Sequence, residues 1–212
     1  MTDNETQANA IDSTLAERRE IETTVYQPAE DSALLADAIS EQGHGRLLEL
    51  GTGSGWVAIK SAEEVDSITE VVASDLNPYA CHAAAQRAVS SDKAAVPISI
   101  VQGDLLTPFA ANTFDTIAFN PPYLPTDPDA EWDDWMECAL SGGRSGREVI
   151  ESFIDTLARV LTPDGTGIVL ISSLTGYEMV TEHIERAGFR HSVIIEESYP
   201  FETLSVLALG QQ

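Results

Sequence analysis

The tetrapeptide Asn120-Pro121-Pro122-Tyr123 follows directly on the apolar run Phe114-Asp115-Thr116-Ile117-Ala118-Phe119. An apolar run with turn-forming residues behind it reads as a buried strand that stops abruptly. Each proline fixes its own φ, lacks an N–H and pushes the preceding residue out of the helical region. The tetrapeptide is therefore a stiff, extended elbow at the carboxyl end of a strand, the edge where open α/β sheets bind ligands. It offers the Asn120 side-chain amide, the Pro121 carbonyl and the flat ring of Tyr123. Those groups suit a planar target carrying an –NH2, whose hydrogens meet two carbonyl acceptors while a ring stacks on it. Alone, the same residues fit a tight turn with a surface aromatic. The other strand ends have to decide.

A second candidate lies upstream. Residues 46–50 form a short strand that runs into Gly51-Thr52-Gly53-Ser54-Gly55 and a helix from Trp56 to about Val65. Glycines at alternate positions let the backbone turn sharply and approach a ligand at a helix N-terminus. The third glycine comes one residue too early for the dinucleotide fingerprint. The next strand, 70–74, ends at Asp75, twenty residues beyond Gly55, where a carboxylate can accept both hydroxyls of a ribose. Capping the helix over 78–90 is the plainer role, but Asn77 and Pro78 already start that helix well. Residues 98–103 form a third strand ending in Asp104-Leu105, whose carboxylate suits an adenine amine or, equally, open solvent.

These elements need a frame. Before the first strand, Val25-Tyr26-Gln27-Pro28-Ala29-Glu30-Asp31-Ser32 leads into a helix with Pro28 in its first turn. An apolar stripe of Leu34, Leu35, Ala38 and Ile39 continues that helix towards Gly43. After the elbow, residues 126–146 are a long proline-, acid- and glycine-rich loop holding Trp132 and Trp135, which could serve as a lid, a partner surface or simple packing. An amphipathic helix spans 148–161, a strand 167–172, a helix 176–187, and strands 191–196 and 204–209. The link 198–203 is too short for a parallel crossover and demands a hairpin. The chain is thus read as one α/β domain over 23–212, a doubly wound, mostly parallel seven-stranded sheet with one antiparallel edge and helices on both faces. Residues 1–22 read as a flexible acidic arm.

Composition narrows the setting. Thirty-five acidic residues face eleven basic ones in 212, a net charge of −24, and only Lys60 and Lys93 are lysines. Such self-repulsion is relieved by screening and implies adaptation to high intracellular salt, as in halophilic archaea. No run of about 18 apolar residues and no basic-then-apolar leader is present, so a cytoplasmic protein away from membranes is expected. Cys81 and Cys138, and His44, His82, His183 and His191, lack metal-ligand spacing, and no metal site is expected.

Taken in order, Glu49-Leu50-Gly51-Thr52-Gly53-Ser54-Gly55, Asp75, Asp104 and Asn120-Pro121-Pro122-Tyr123 resemble the successive motifs of class I S-adenosylmethionine methyltransferases. With Val25 to Ser32 and Gly142-Gly143-Arg144-Ser145-Gly146, the chain is similar to the HemK-like protein-glutamine methyltransferases, specifically their short archaeal and eukaryotic branch. The resemblance covers about residues 24–210. It implies a Rossmann-like domain that uses S-adenosylmethionine, with S-adenosylhomocysteine as product. Gly51, Gly53 and Gly55 with Glu49 would hold the methionine portion, Asp75 the ribose, and Asp104 with Leu105 the adenine. Thr52 and Leu76 would also belong to the cofactor site, and Tyr26, Asp31 and Ser32 would close the pocket around the amino-acid end. Asn120 would border both cofactor and substrate. Asn120 and the Pro121 carbonyl would grip the substrate amide, with Pro122 and Tyr123 beside it. The substrate implied is the glutamine of the Gly-Gly-Gln motif of class I translation release factors. A small zinc-binding activator is implied on the edge strand Ile98-Ser99-Ile100-Val101. Gln27 stands where relatives often carry an acid. The same elbow fits an adenine-N6 or protein-lysine methyltransferase, although the chain has neither a basic groove nor a spare recognition domain. A dehydrogenase fits poorly for want of a substrate domain, and a non-catalytic binding subunit fits poorly with an intact elbow.

Overall fold

The computed structural model describes residues 25–126 and 135–212, so the arm expected over 1–22 and Trp132 lie outside the described residues. The strands are β1 Gly45–Leu50, β2 Ile68–Asp75, β3 Ile98–Gln102, β4 Phe114–Phe119, β5 Leu161–Ser172, β6 Phe189–Ser198 and β7 Thr203–Gln211. The helices are α1 Glu30–Gln42, α2 Trp56–Glu64, α3 Pro78–Ser90, α4 Trp135–Leu140, α5 Glu148–Val160 and α6 Tyr177–Arg186. All seven strands join one sheet in the order β3-β2-β1-β4-β5-β7-β6.

Burial on both faces explains the unbroken apolar strands. Side chains alternate along β1: Leu47 packs with Leu35 and Ile39 of α1 and Val57 of α2. Leu48 and Leu50 instead meet Phe153 and Leu157 of α5 and Ile184 of α6. Asn77 caps α3, its Oδ1 accepting from the Tyr79 backbone N–H at 2.9 Å, with Pro78 at the first helical position. That pair starts the helix where the sequence places it. At α1 the start moves: Ala29 is the cap, so Pro28 precedes the first turn instead of joining it.

The hairpin expected between the last two strands is present, β6 pairing antiparallel with β7. The antiparallel strand is not at the edge, however. β7 lies between β5 and β6, and β6 is the edge. The reason is burial: Leu204, Val206, Leu207 and Leu209 of β7 are all buried, whereas β6 exposes Arg190, Glu196 and Glu197 to solvent. Charged side chains suit the strand whose outer edge has no neighbour. Residues 126–146 are also not all loop, since α4 and a glycine turn occupy the second half.

Candidate active site

The chain order reverses beside β1, which has β2 on one side and β4 on the other. At such a switch point the carboxyl ends of the two strands open a crevice. Leu50 pairs with Phe119 at the end of the β1–β4 register, so the glycine turn and the elbow leave the sheet side by side. That topology brings together motifs some seventy residues apart. A cavity of about 610 Å³ opens there, lined by Gly51, Gly53, Asp75, Asp104 and Leu105, by Asn120 through Tyr123, and by Tyr26 and Asp31. A recess of about 20 Å³ beside it is bordered by Ser32, Glu49, Thr52 and Asn120.

The turn is built by backbone donors. Asp75 accepts from the Gly53 N–H at 2.8 Å on one oxygen and from the Asn77 N–H at 2.9 Å on the other. Burial raises its pKa, against the pull of those backbone bonds. Glu49 is 3% exposed, and burial pushes its pKa up to about 8. The Thr52 hydroxyl, donating to Glu49 at 2.5 Å, and a backbone bond from Ala58 oppose that rise. Neither carboxylate has a salt-bridge partner among the described residues. A largely buried Asp75 at the cavity wall favours a guest carrying positive charge, and a cation beside Glu49 would favour its ionised form. Tyr123 is pushed up to about 12 by burial and by Glu202 and Asp31, and burial with the Asp31 bond raises Tyr26 further. Both phenols therefore stay protonated at neutral pH. Among the described lining residues there is no histidine or lysine to act as a strong base.

Asn120 donates through Nδ2 to Asp31 Oδ2 at 2.9 Å, while its Oδ1 is buried without a hydrogen-bond partner. An unmet buried acceptor costs about 1–3 kcal/mol, and native proteins retain such groups where they serve a purpose. Behind the elbow, the Leu124 N–H donates to the Leu140 carbonyl and the Gly142 N–H to the Leu124 carbonyl. Gly146, at φ +76°, lies so close that a Cβ there would sit 2.6 Å from the Tyr123 carbonyl oxygen. The glycine turn over 142–146 thus braces the elbow from outside.

A family model described as the methyltransferase small domain matches residues 27–131. A putative protein N5-glutamine methyltransferase of Methanocaldococcus jannaschii is 36% identical over 183 residues, which span 86% of this chain and 90% of that protein. The chain belongs to the HemK-like protein-glutamine methyltransferase family. Methyltransferase HEMK2 of Homo sapiens is 30% identical over 190 residues, 86% of this chain and 88% of that protein. The solved Mtq2–Trm112 complex of E. cuniculi, described as responsible for methylation of the eRF1 termination factor, matches with a TM-score of 0.68 and 26% identity, over 89% of this chain and 99% of that one.

Within this HemK-like chain, the expected residues do not all share one surface. Leu76 lines the cavity and is 50% exposed, and Asp104 is solvent-exposed at the rim. Gly55 faces α3, where a Cβ would sit 2.8 Å from Ala84. A further wall of the cavity is formed by Trp135, read from the sequence as a lid, partner surface or packing residue, with Cys138 and Leu140 of α4 and Val149, Ser152 and Thr156 of α5, none of which the sequence assigned to the site. The last three recur at helical spacing. That spacing was the available signal, but it is adjacent to the stronger apolar stripe that packs on the sheet.

Proposed function

We propose that the chain transfers the methyl group of S-adenosylmethionine to the side-chain amide nitrogen of the glutamine in the Gly-Gly-Gln motif of a class I release factor. The observation that carries this is Asn120, a cavity-lining residue whose buried Oδ1 has no hydrogen-bond partner and can accept an N–H. The site also suits the cofactor. Asp75 and Asp104 both line the cavity and would accept from ribose hydroxyls and an adenine amine, and their acidity suits a cationic cofactor. When bound, S-adenosylmethionine supplies a methyl already activated by the sulfonium charge.

The protein's part is then alignment. Asn120 Oδ1 and the Pro121 carbonyl accept the two hydrogens of the substrate amide, and the Tyr123 ring flanks its plane. Holding nitrogen and methyl about 3 Å apart and in line supplies several kcal/mol of the barrier. Gripping both N–H groups turns the delocalised nitrogen lone pair towards the methyl. Methylation leaves the amide nitrogen with one proton too many, and that proton passes to solvent; a neutral Tyr123 and the absence of a strong base among the described lining residues fit its release after the transfer and not before it.

The proposed zinc-binding activator docks on β3, whose outer edge is free of a strand neighbour among the described residues. Tyr79 and Val89 of neighbouring α3 are 57% and 88% exposed, an apolar border of the kind a partner covers. Incubation with labelled S-adenosylmethionine and release factor, with and without the activator at molar salt, tests the reading. Mass spectrometry is expected to place the methyl on the glutamine. Label on adenine of added nucleic acid, or on lysine, with none on glutamine would overturn it.

A further inference from the structure

We infer that Asp31 is a positioning residue that commits Asn120 to act as an acceptor, and so restricts the site to nucleophiles that present N–H groups. The inference rests on the amide-methylation reading above. The resemblance to relatives places Asp31 at the amino-acid end of the cofactor, but its geometry points elsewhere. Asp31 is 5% exposed. Its Oδ2 accepts from the Tyr26 hydroxyl at 2.8 Å and from Asn120 Nδ2 at 2.9 Å. Its Oδ1 accepts from the Ser32 backbone N–H at 2.6 Å and from the Ser32 hydroxyl at 3.2 Å. A carboxylate has about four lone-pair positions. All are taken by the protein, so Asp31 has no acceptor left for a cofactor ammonium.

The consequence falls on Asn120. A side-chain amide has a donor end and an acceptor end, and an ionised carboxylate can only accept. The NH2 end must therefore face Asp31. The inverted amide would set Oδ1 against a carboxylate oxygen with no proton between them. With Nδ2 held by Asp31, the amide's other end, Oδ1, is left buried and unpartnered on a residue that lines the cavity. The site thus presents an oxygen and not an N–H. A glutamine amide, which donates, is accepted. A glutamate carboxylate, which only accepts, meets a like dipole and is rejected. Asp31 thereby selects between two side chains of nearly the same shape.

The test has two parts. In the unsubstituted protein, NMR should show the Asn120 Nδ2 protons protected from solvent exchange, with one shifted downfield by its bond to the Asp31 carboxylate; unprotected protons at free-amide shifts would overturn the inference. This part reads the bond whether or not any peptide is methylated, so its failure is separable from failure of the proposed reaction. The second part uses the isosteric Asp31→Asn, whose side chain can also donate and so lets Asn120 invert. The expected result is a fall in kcat of about a hundredfold, the scale of a misplaced reacting group, with the S-adenosylmethionine Kd within about threefold of normal. A Gly-Gly-Glu peptide, which should not compete in the unsubstituted enzyme, should inhibit the variant. Tyr26→Phe, which keeps the carboxylate, should retain the protected, downfield-shifted Asn120 proton. Loss of cofactor affinity by the same factor as kcat, with discrimination against the glutamate peptide intact, would make Asp31 a cofactor ligand and overturn the inference.

Discussion

Glu49 offers a measurement whose size follows from its surroundings. Its ordinary pKa is 4.5 and burial lifts it to about 8 in the fold. Between those values the folded chain holds a proton that the unfolded chain releases. Stability is then fully present below the ordinary pKa and declines as pH rises towards the folded one. A rise of that size corresponds to roughly 5 kcal/mol at most, and water reaching the site in local openings reduces it, so a loss of ~2–5 kcal/mol is expected. Glu49→Gln fills the same space, can still accept from the Thr52 hydroxyl and carries no titration. Urea unfolding of both proteins, in constant molar salt from pH 5 to 8.5, isolates the effect, because the other carboxylates are common to the pair. The stability difference should shift in favour of the variant by ~2–5 kcal/mol across that range. Parallel stability curves would show that Glu49 is ionised throughout and would refute the electrostatic account of the cavity wall.

Two further outcomes follow from the same geometry. Asp75→Ala removes the acceptor that fixes the Gly53 N–H and suits a ribose; cofactor Kd measured by calorimetry should rise tenfold or more, while turnover at saturating cofactor stays within a few-fold. Gly55→Ala sets a Cβ 2.8 Å from the Ala84 backbone at φ +78°, so α2 and α3 must part; a loss of ~2–3 kcal/mol in urea unfolding is expected, from strain and overpacking together.

Much of this architecture was legible because it is local. The α3 boundaries followed from Asn77 and Pro78, and the strand ends from glycine and proline placed directly behind apolar runs. The convergence of Gly51, Asp75, Asp104 and Asn120 followed from topology, since all stand at carboxyl ends of strands in one sheet. What escaped the sequence depends on distant pairing. No local pattern couples Asp31 to Asn120 across 89 positions, and only folded coordinates show that Asp31 is saturated. The position of β7 turned on comparing the two faces of the last two strands, which a hairpin signal alone leaves open. Gly55 shares a motif with Gly51 and Gly53, yet its missing side chain faces α3, because the alternating spacing reports backbone freedom and not what each residue faces. The α4 and α5 wall was hidden because Val149, Ser152 and Thr156 border a helix face already explained by the core.

The central claim is that Asn120 grips the reacting amide and not the methyl donor. Single-turnover transfer to a Gly-Gly-Gln peptide, run beside S-adenosylmethionine binding for the unsubstituted chain and Asn120→Ala, tests it most directly. The account predicts that transfer falls by a thousandfold or more, about 4 kcal/mol of barrier, with cofactor Kd changed less than fivefold. Transfer that persists within tenfold, or binding and transfer lost in equal measure, would contradict it.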